Sequence, residues 1–148
     1  MKVICVGKIK ESFFKDAILE YSKRISKYTK LEIIEVLDEP LEKTALKKEG
    51  ERILSKIKDS DYVITLEIEG NSLSSLDFAR KIENNFNSNK NLTFVIGGSY
   101  GLSDLVKQRS NYSLSFSRFT FPHQLFRVLL LEQIYRAYKI NNNENYHK

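Results

Sequence analysis

Short apolar runs alternate with longer stretches whose apolar residues recur every third or fourth position, and the alternation continues along the whole chain. KVICVG (Lys2 to Gly7) reads as a first strand, buried on both faces. From about Ser12, residues such as Phe14, Ile18, Tyr21 and Ile25 fall at helical spacing. LEIIEVL (Leu31 to Leu37) returns to strand, and Leu41, Ala45, Leu46, Ile53, Leu54 and Ile57 mark a second helix whose continuity Gly50 weakens. YVITLEI (Tyr62 to Ile68) is a third strand, closed by a turn at Gly70–Asn71; Ser74 or Ser75 then caps a third helix. Asn84 to Asn91 reads as a loop or frayed helix end. LTFVI (Leu92 to Ile96) is a fourth strand, Ser103 caps a short helix to Ser110, and YSLSF (Tyr112 to Phe116) is a fifth strand. A last helix runs from about His123 to Tyr138, with a polar tail behind it. Strands separated by helices imply an α/β fold with a mostly parallel central sheet covered by helices. With 148 residues and neither linker nor internal repeat, residues 1–148 are expected to form one domain.

Composition closes off several function classes. The one cysteine, Cys5, lies inside the first strand and is expected to be a packed core thiol. Together with two histidines far away in sequence it makes no metal-ligand cluster, so no metal is expected. No run approaches the ~18 apolar residues of a membrane span, and lysines interrupt MKVICVGKIK too early for a signal peptide. A cytoplasmic protein is expected. The net charge of +5 leans toward a polyanionic partner, although the lysines are spread rather than clustered.

Two segments carry the chemistry. VIGGSYGLSD (Val95 to Asp104) places Gly97, Gly98 and Gly101 at the carboxyl end of the fourth strand, where open α/β sheets bind ligands. Glycine lets backbone approach a ligand closely. A P-loop would need Lys and Ser/Thr after the last glycine, and here Leu102–Ser103 follows. A dinucleotide fingerprint needs G-x-G-x-x-G and an acid about 20 residues on; the spacing is GGxxG and the later region holds Arg118. Phosphate cradling is therefore a poor fit, and a plain chain-reversing turn is the alternative.

In the second segment, Ser115 to Tyr138, an aromatic-rich turn with Pro122 leads into a helix that is apolar on more than one face. Such a helix must be buried on several sides. The sheet covers one, and a second subunit is expected to cover another. Arg127, Glu132 and Arg136 interrupt the apolar surface; Glu132 and Arg136, four apart, can pair, and an arginine here could also meet RNA phosphate or a ligand carboxylate.

VIGGSYGLSD, SFSRFTFPHQLFRVLLLEQIYRAYKI and NYHK, with the opening KVICVGKIKE and the middle TLEIEGNSLSS, resemble the bacterial ribosomal large-subunit pseudouridine methyltransferase H family, small members of the SPOUT class. The resemblance runs from end to end. It implies an α/β knot, with helices on both faces of the sheet and a C-terminal trefoil knot, and a homodimer. It also implies S-adenosyl-L-methionine as cofactor and methyl transfer to N3 of a pseudouridine in 23S rRNA, on the 70S ribosome or large subunit. Its cofactor-binding positions fall on Leu66, Gly97 and the run Phe116, Ser117, Arg118, Phe119, Thr120 and Phe121. Leu66 and the phenylalanines would wall the adenine. The imide must lose its N3 proton, which calls for a base or a donor to the developing anion. His147 and Tyr146 in the tail are expected to close over the target base, with Arg136 a secondary candidate and His123 capping its helix. Specificity is expected to come from shape on the assembled ribosome. The rival readings are a non-catalytic ribosome- or RNA-binding module and a nucleotide-binding α/β domain.

Overall fold

Parallel neighbours cannot be joined by tight hairpins, so each strand needs a crossover, and helices supply them here. The computed structural model describes residues 1–88 and 90–148. The strands are β1 (Lys2–Val6), β2 (Glu32–Val36), β3 (Asp61–Ser72), β4 (Asn91–Ile96) and β5 (Tyr112–Ser115). Between and after them come α1 (Ser12–Ile25), α2 (Glu42–Leu54), α3 (Ser75–Asn87), α4 (Asp104–Arg109) and α5 (His123–Asn141). The sheet order is β2-β1-β4-β3-β5, and every strand pairing is parallel.

Successive side chains on a strand point to opposite faces, and β1 shows the consequence. Val3 and Cys5 enter a core shared with α1, α3 and α5, whereas Ile4 and Val6 enter a second core shared with α2 and α4. Helices thus cover both faces. Burial pushes the Cys5 thiol up to about 12, as befits a packed core group. The serine caps occur as read: Ser74 accepts from Asp77 N–H at 3.1 Å and Ser103 from Val106 N–H at 3.4 Å.

α5 lies between α1 and α3 on its sheet face, so two of the sides that seemed to need a partner are covered within the chain. Leu125, Val128 and Leu129 of this helix remain half-buried.

At the amino ends of the strands the sheet is closed by a buried ion pair. Lys2 Nζ donates to Asp61 Oδ2 at 2.6 Å and to Lys56 O at 3.0 Å. Asp61 also accepts from Lys58 N–H and from the Asn91 amide.

Four local expectations are corrected. β3 does not turn at Gly70–Asn71 but continues to Ser72, because its register against β5 shifts between Leu66 and Asn71 and the strand rejoins β5 beyond the bulge. Gly70 permits this: a Cβ there would lie 2.7 Å from the Leu114 carbonyl carbon. α2 runs unbroken through Gly50, which packs against Ser103. α3 extends through Asn85 to Asn87, and β4 begins at Asn91; of the Asn84–Asn91 stretch, Asn89 lies outside the described residues. His123 makes no cap hydrogen bond, since Pro122 occupies that position and the helix continues to Asn141.

Candidate functional site

Three stretches at the carboxyl ends of β3, β4 and β5 close around one cleft of about 430 Å³. The first is the β3 bulge, where Leu66, Glu67, Ile68 and Glu69 line the opening. Thr65 fixes Glu67 by donating from Oγ1 to Oε1 at 2.6 Å.

The second is the glycine turn after β4. Gly101 N–H donates to Gly98 O at 3.0 Å and Gly101 takes a φ of +84°, a conformation that disfavours any residue with a Cβ. A Cβ on Gly97 would lie 2.5 Å from Gly101 O, so the turn closes only with bare backbone. Gly97, Gly98 and Gly101 all line the cleft.

The third is the run from Phe116 to Phe121. Ser115 Oγ reaches both Ile68 O at 2.8 Å and Ser117 O at 3.1 Å, tying this run to the β3 bulge. Ser117 Oγ accepts from Phe119 N–H at 3.0 Å. Phe126 of α5 packs on Phe116 edge-on at 5.1 Å and on Phe121 at 5.7 Å, so the aromatic wall is braced by the last helix. Phe119 lines the mouth while 78% exposed.

Of the residues the sequence singled out, Leu66, Gly97, Phe116, Ser117, Phe119, Thr120 and Phe121 meet at this cleft, whereas exposed Arg118 is not among its lining residues. The reading missed Phe126, Lys107 and Glu67, which also line it, and His123, the histidine set aside in favour of His147, lines it too. Burial, then the nearby Arg127, lowers the His123 pKa and favours the neutral imidazole. Arg127 itself is buried: it meets Glu35 at 2.7 Å and donates to Val6 O and Gly7 O, so it braces the β1 exit. Gln124 adds to that brace by accepting from Lys10 and Glu11 N–H.

Arg136, Tyr146 and His147 gather at a second place, on α5. Arg136 and Glu132 pair at 2.7 Å, Tyr146 donates to Glu132 at 3.1 Å, and Arg136 meets His147 Nδ1 at 3.3 Å. The Tyr146 ring stands edge-on to Tyr135 at 4.9 Å and beneath the Arg136 guanidinium at 4.8 Å. The tail therefore folds back on its own helix rather than across the cleft. Glu132 lines a neighbouring hollow that shares Phe116 and Phe121 with the cleft, so the two places adjoin. Among the described residues no group of three or more His, Cys, Asp or Glu could hold a metal ion, and no helix is long and apolar enough to cross a membrane.

A family model described as "Predicted SPOUT methyltransferase" matches residues 1–147. Proteins named ribosomal RNA large subunit methyltransferase H are similar along their whole length. The one from Clostridium botulinum strain Alaska E43 is 54% identical, covering 99% of this chain and 98% of the relative. The form numbered 1 from Clostridium perfringens strain SM101 is 56% identical over the same shares. Among solved structures, the SpoU methyltransferase AviRb from Streptomyces viridochromogenes, crystallised with AdoMet, aligns at a TM-score of 0.50 and 11% identity. That alignment covers 93% of this chain but 57% of AviRb, and it supports the fold alone.

Proposed function

The chain belongs to the SPOUT methyltransferase family, and from that premise we propose that it methylates large-subunit ribosomal RNA with S-adenosylmethionine, at N3 of a pseudouridine in 23S rRNA. The observation that carries this reading is the convergence of the β3 bulge, the glycine turn and the Phe116–Phe121 run on one cleft.

The cleft fits the cofactor in size and chemistry. Its volume of about 430 Å³ lies within the ~300–1,000 Å³ typical of small-molecule sites. Leu66, Phe116 and Phe126 offer apolar surface to a flat heterocycle, and the bare glycines offer backbone groups to its polar edge. Glu67 and Glu69 suit an ammonium and Lys107 a carboxylate. When bound, the cofactor supplies a methyl group already activated on a sulfonium. The protein's task is then alignment and charge stabilisation.

For the target base we propose Arg136, Tyr146 and His147. Burial, then the Glu132 charge, pushes the Tyr146 phenol up to about 12, so it acts as a donor and not as a base. A guanidinium only donates, so His147 Nδ1 accepts from Arg136 and the ring proton sits on Nε2. That N–H is then available to a base carbonyl on which charge grows as N3 is deprotonated. Residues 1–148 act as one unit, with the trefoil knot of the family fold, in the cytoplasm where ribosomes are found. The half-buried Leu125, Val128 and Leu129 on α5 support a homodimer; sedimentation is expected to read a dimer mass, and a monomer would remove that part.

The test is incubation of 70S ribosomes, from a strain lacking this enzyme, with labelled cofactor. Label is expected on N3 of a 23S pseudouridine. Label on another atom would overturn the target, and ribosome binding without label would favour a non-catalytic module.

A further inference from the structure

Beneath the glycine turn lies a carboxyl group that the proposed reaction does not use. Glu49, on α2, is 3% exposed. Its Oε1 accepts from Glu39 N–H at 2.9 Å, and its Oε2 has no hydrogen-bond partner among the described residues. A Cβ on Gly98 would lie 2.6 Å from that Oε2 and 3.0 Å from Val6 Cγ1, so the turn rests directly on the carboxyl group. The next residue, Gly50, packs against Ser103, which ends the same turn and caps α4. α2 therefore supports the turn at both ends. The charged groups facing Glu49 are Asp38 and Glu39, from the β2–α2 connection, and Arg52 on α2. Glu39 is itself paired with Arg52 and Lys48 at 3.4 Å. β1 presents apolar Val6 and the β4 exit presents bare Gly98, while Ser103, the cap of α4, packs on the neighbouring Gly50.

An ionised Oε2 would be an unpaired charge buried against backbone, which the neutral acid avoids. We propose that Glu49 is a positioning residue: protonated, it holds the Gly97–Gly101 turn in the shape that receives the cofactor, and on ionising it displaces that turn. The inference rests on the reading of this turn as the cofactor's. Burial, ahead of the neighbouring acids, pushes the Glu49 carboxyl above the usual carboxylate range, in keeping with this.

The experiment follows the full chain upward from the ordinary carboxylate range, about pH 4, to about pH 8.5, as wild type and as Glu49→Gln, the uncharged isostere. NMR reads the Gly97, Gly98 and Gly101 amides without ligand, and calorimetry reads binding of S-adenosylhomocysteine. The glycine amides of the wild type are expected to follow one titration that is absent in Glu49→Gln. Affinity should fall about tenfold across that transition in the wild type alone. Glycine amides that do not titrate would overturn the proposal, as would parallel pH profiles in the two proteins. Titrating amides with no ligand binding at any pH would uphold the coupling of Glu49 to the turn and overturn the cofactor reading on which the rest depends.

Discussion

The two ends of the sheet solve the same problem differently. At the amino end, Lys2 and Asp61 are buried together; Lys2 also donates to Lys56 O, and Asp61 accepts from Lys58 N–H and the Asn91 amide. At the carboxyl end, Glu49 Oε2 and Arg127 Nε are buried without partners, bare glycine backbone lines a cleft, and Phe119 stands in solvent. Buried polar atoms are normally satisfied, and exceptions call for an explanation. The difference teaches where this chain keeps its stability and where it gives some up. At the amino end the buried charges are paired, although the Thr93 hydroxyl beside Lys2 has no partner among the described residues; the carboxyl end leaves room, and charged groups with unmet valence, where a ligand has to enter.

The largest effect expected from this contrast is at the amino end. Lys2→Met would leave the Asp61 carboxylate buried without its counter-charge. Breaking one partner of such a pair costs about 3–5 kcal/mol. Urea unfolding should register that loss, while affinity for S-adenosylhomocysteine below the transition stays as in the wild type. A fall in affinity as large as the fall in stability would break the division between the ends.

A smaller effect on stability, with the larger effect on binding, is expected at the other end. The Cβ of Gly97→Ala would fall 2.5 Å from Gly101 O, and backbone must move to admit it. Overpacking of this kind costs about 1–3 kcal/mol. Calorimetry should show cofactor affinity reduced at least about tenfold. A variant destabilised by this amount that still binds normally would remove the turn from the site.

The division also marks what could be read from the sequence. Strand alternation, helix spacing and the serine caps at Ser74 and Ser103 are local signals, and they yielded the element order. Two of the three stretches around the cleft, the glycine turn and the aromatic run, were legible because bare glycine and phenylalanine are unusual at strand exits, whereas Leu66 on the β3 bulge was reached only through the resemblance. The pairs Lys2–Asp61 and Arg127–Glu35 join residues 59 and 92 positions apart, and no periodicity encodes such partners. Glu49 looked like one more acid on the polar face of α2, because its burial depends on Gly98 arriving from another element. Gly70–Asn71 carried an ordinary turn signal, overridden when β5 paired again with β3 beyond the bulge. Arg118 was carried over with the aromatic run by the resemblance; it is exposed and does not line the cleft.

The gentlest test of the contrast uses pH, because one acid at each end shifts in opposite directions. Burial works to raise the Asp61 pKa, but hydrogen bonds from Lys2, Lys58 N–H and Asn91 outweigh it, and the net value lies below the usual range. The folded state therefore binds fewer protons there than the unfolded state. Asp61 contributes stability that is present above the unfolded Asp value of ~3.9 and lost as pH falls through the folded one. Glu49 has the opposite sign: burial raises its pKa, so its stability is present below the unfolded Glu value of ~4.3 and lost as pH rises through the folded one. Each group can tilt stability by at most about 1.4 kcal/mol per pH unit, the limit for one proton. Urea unfolding across the acid-to-neutral range should show Asp61→Asn flattening the acid limb and Glu49→Gln flattening the decline toward neutral pH. If Glu49→Gln instead left the neutral limb unchanged, the unpartnered oxygen at the cleft end would be no more costly than the fully bonded carboxylate opposite it.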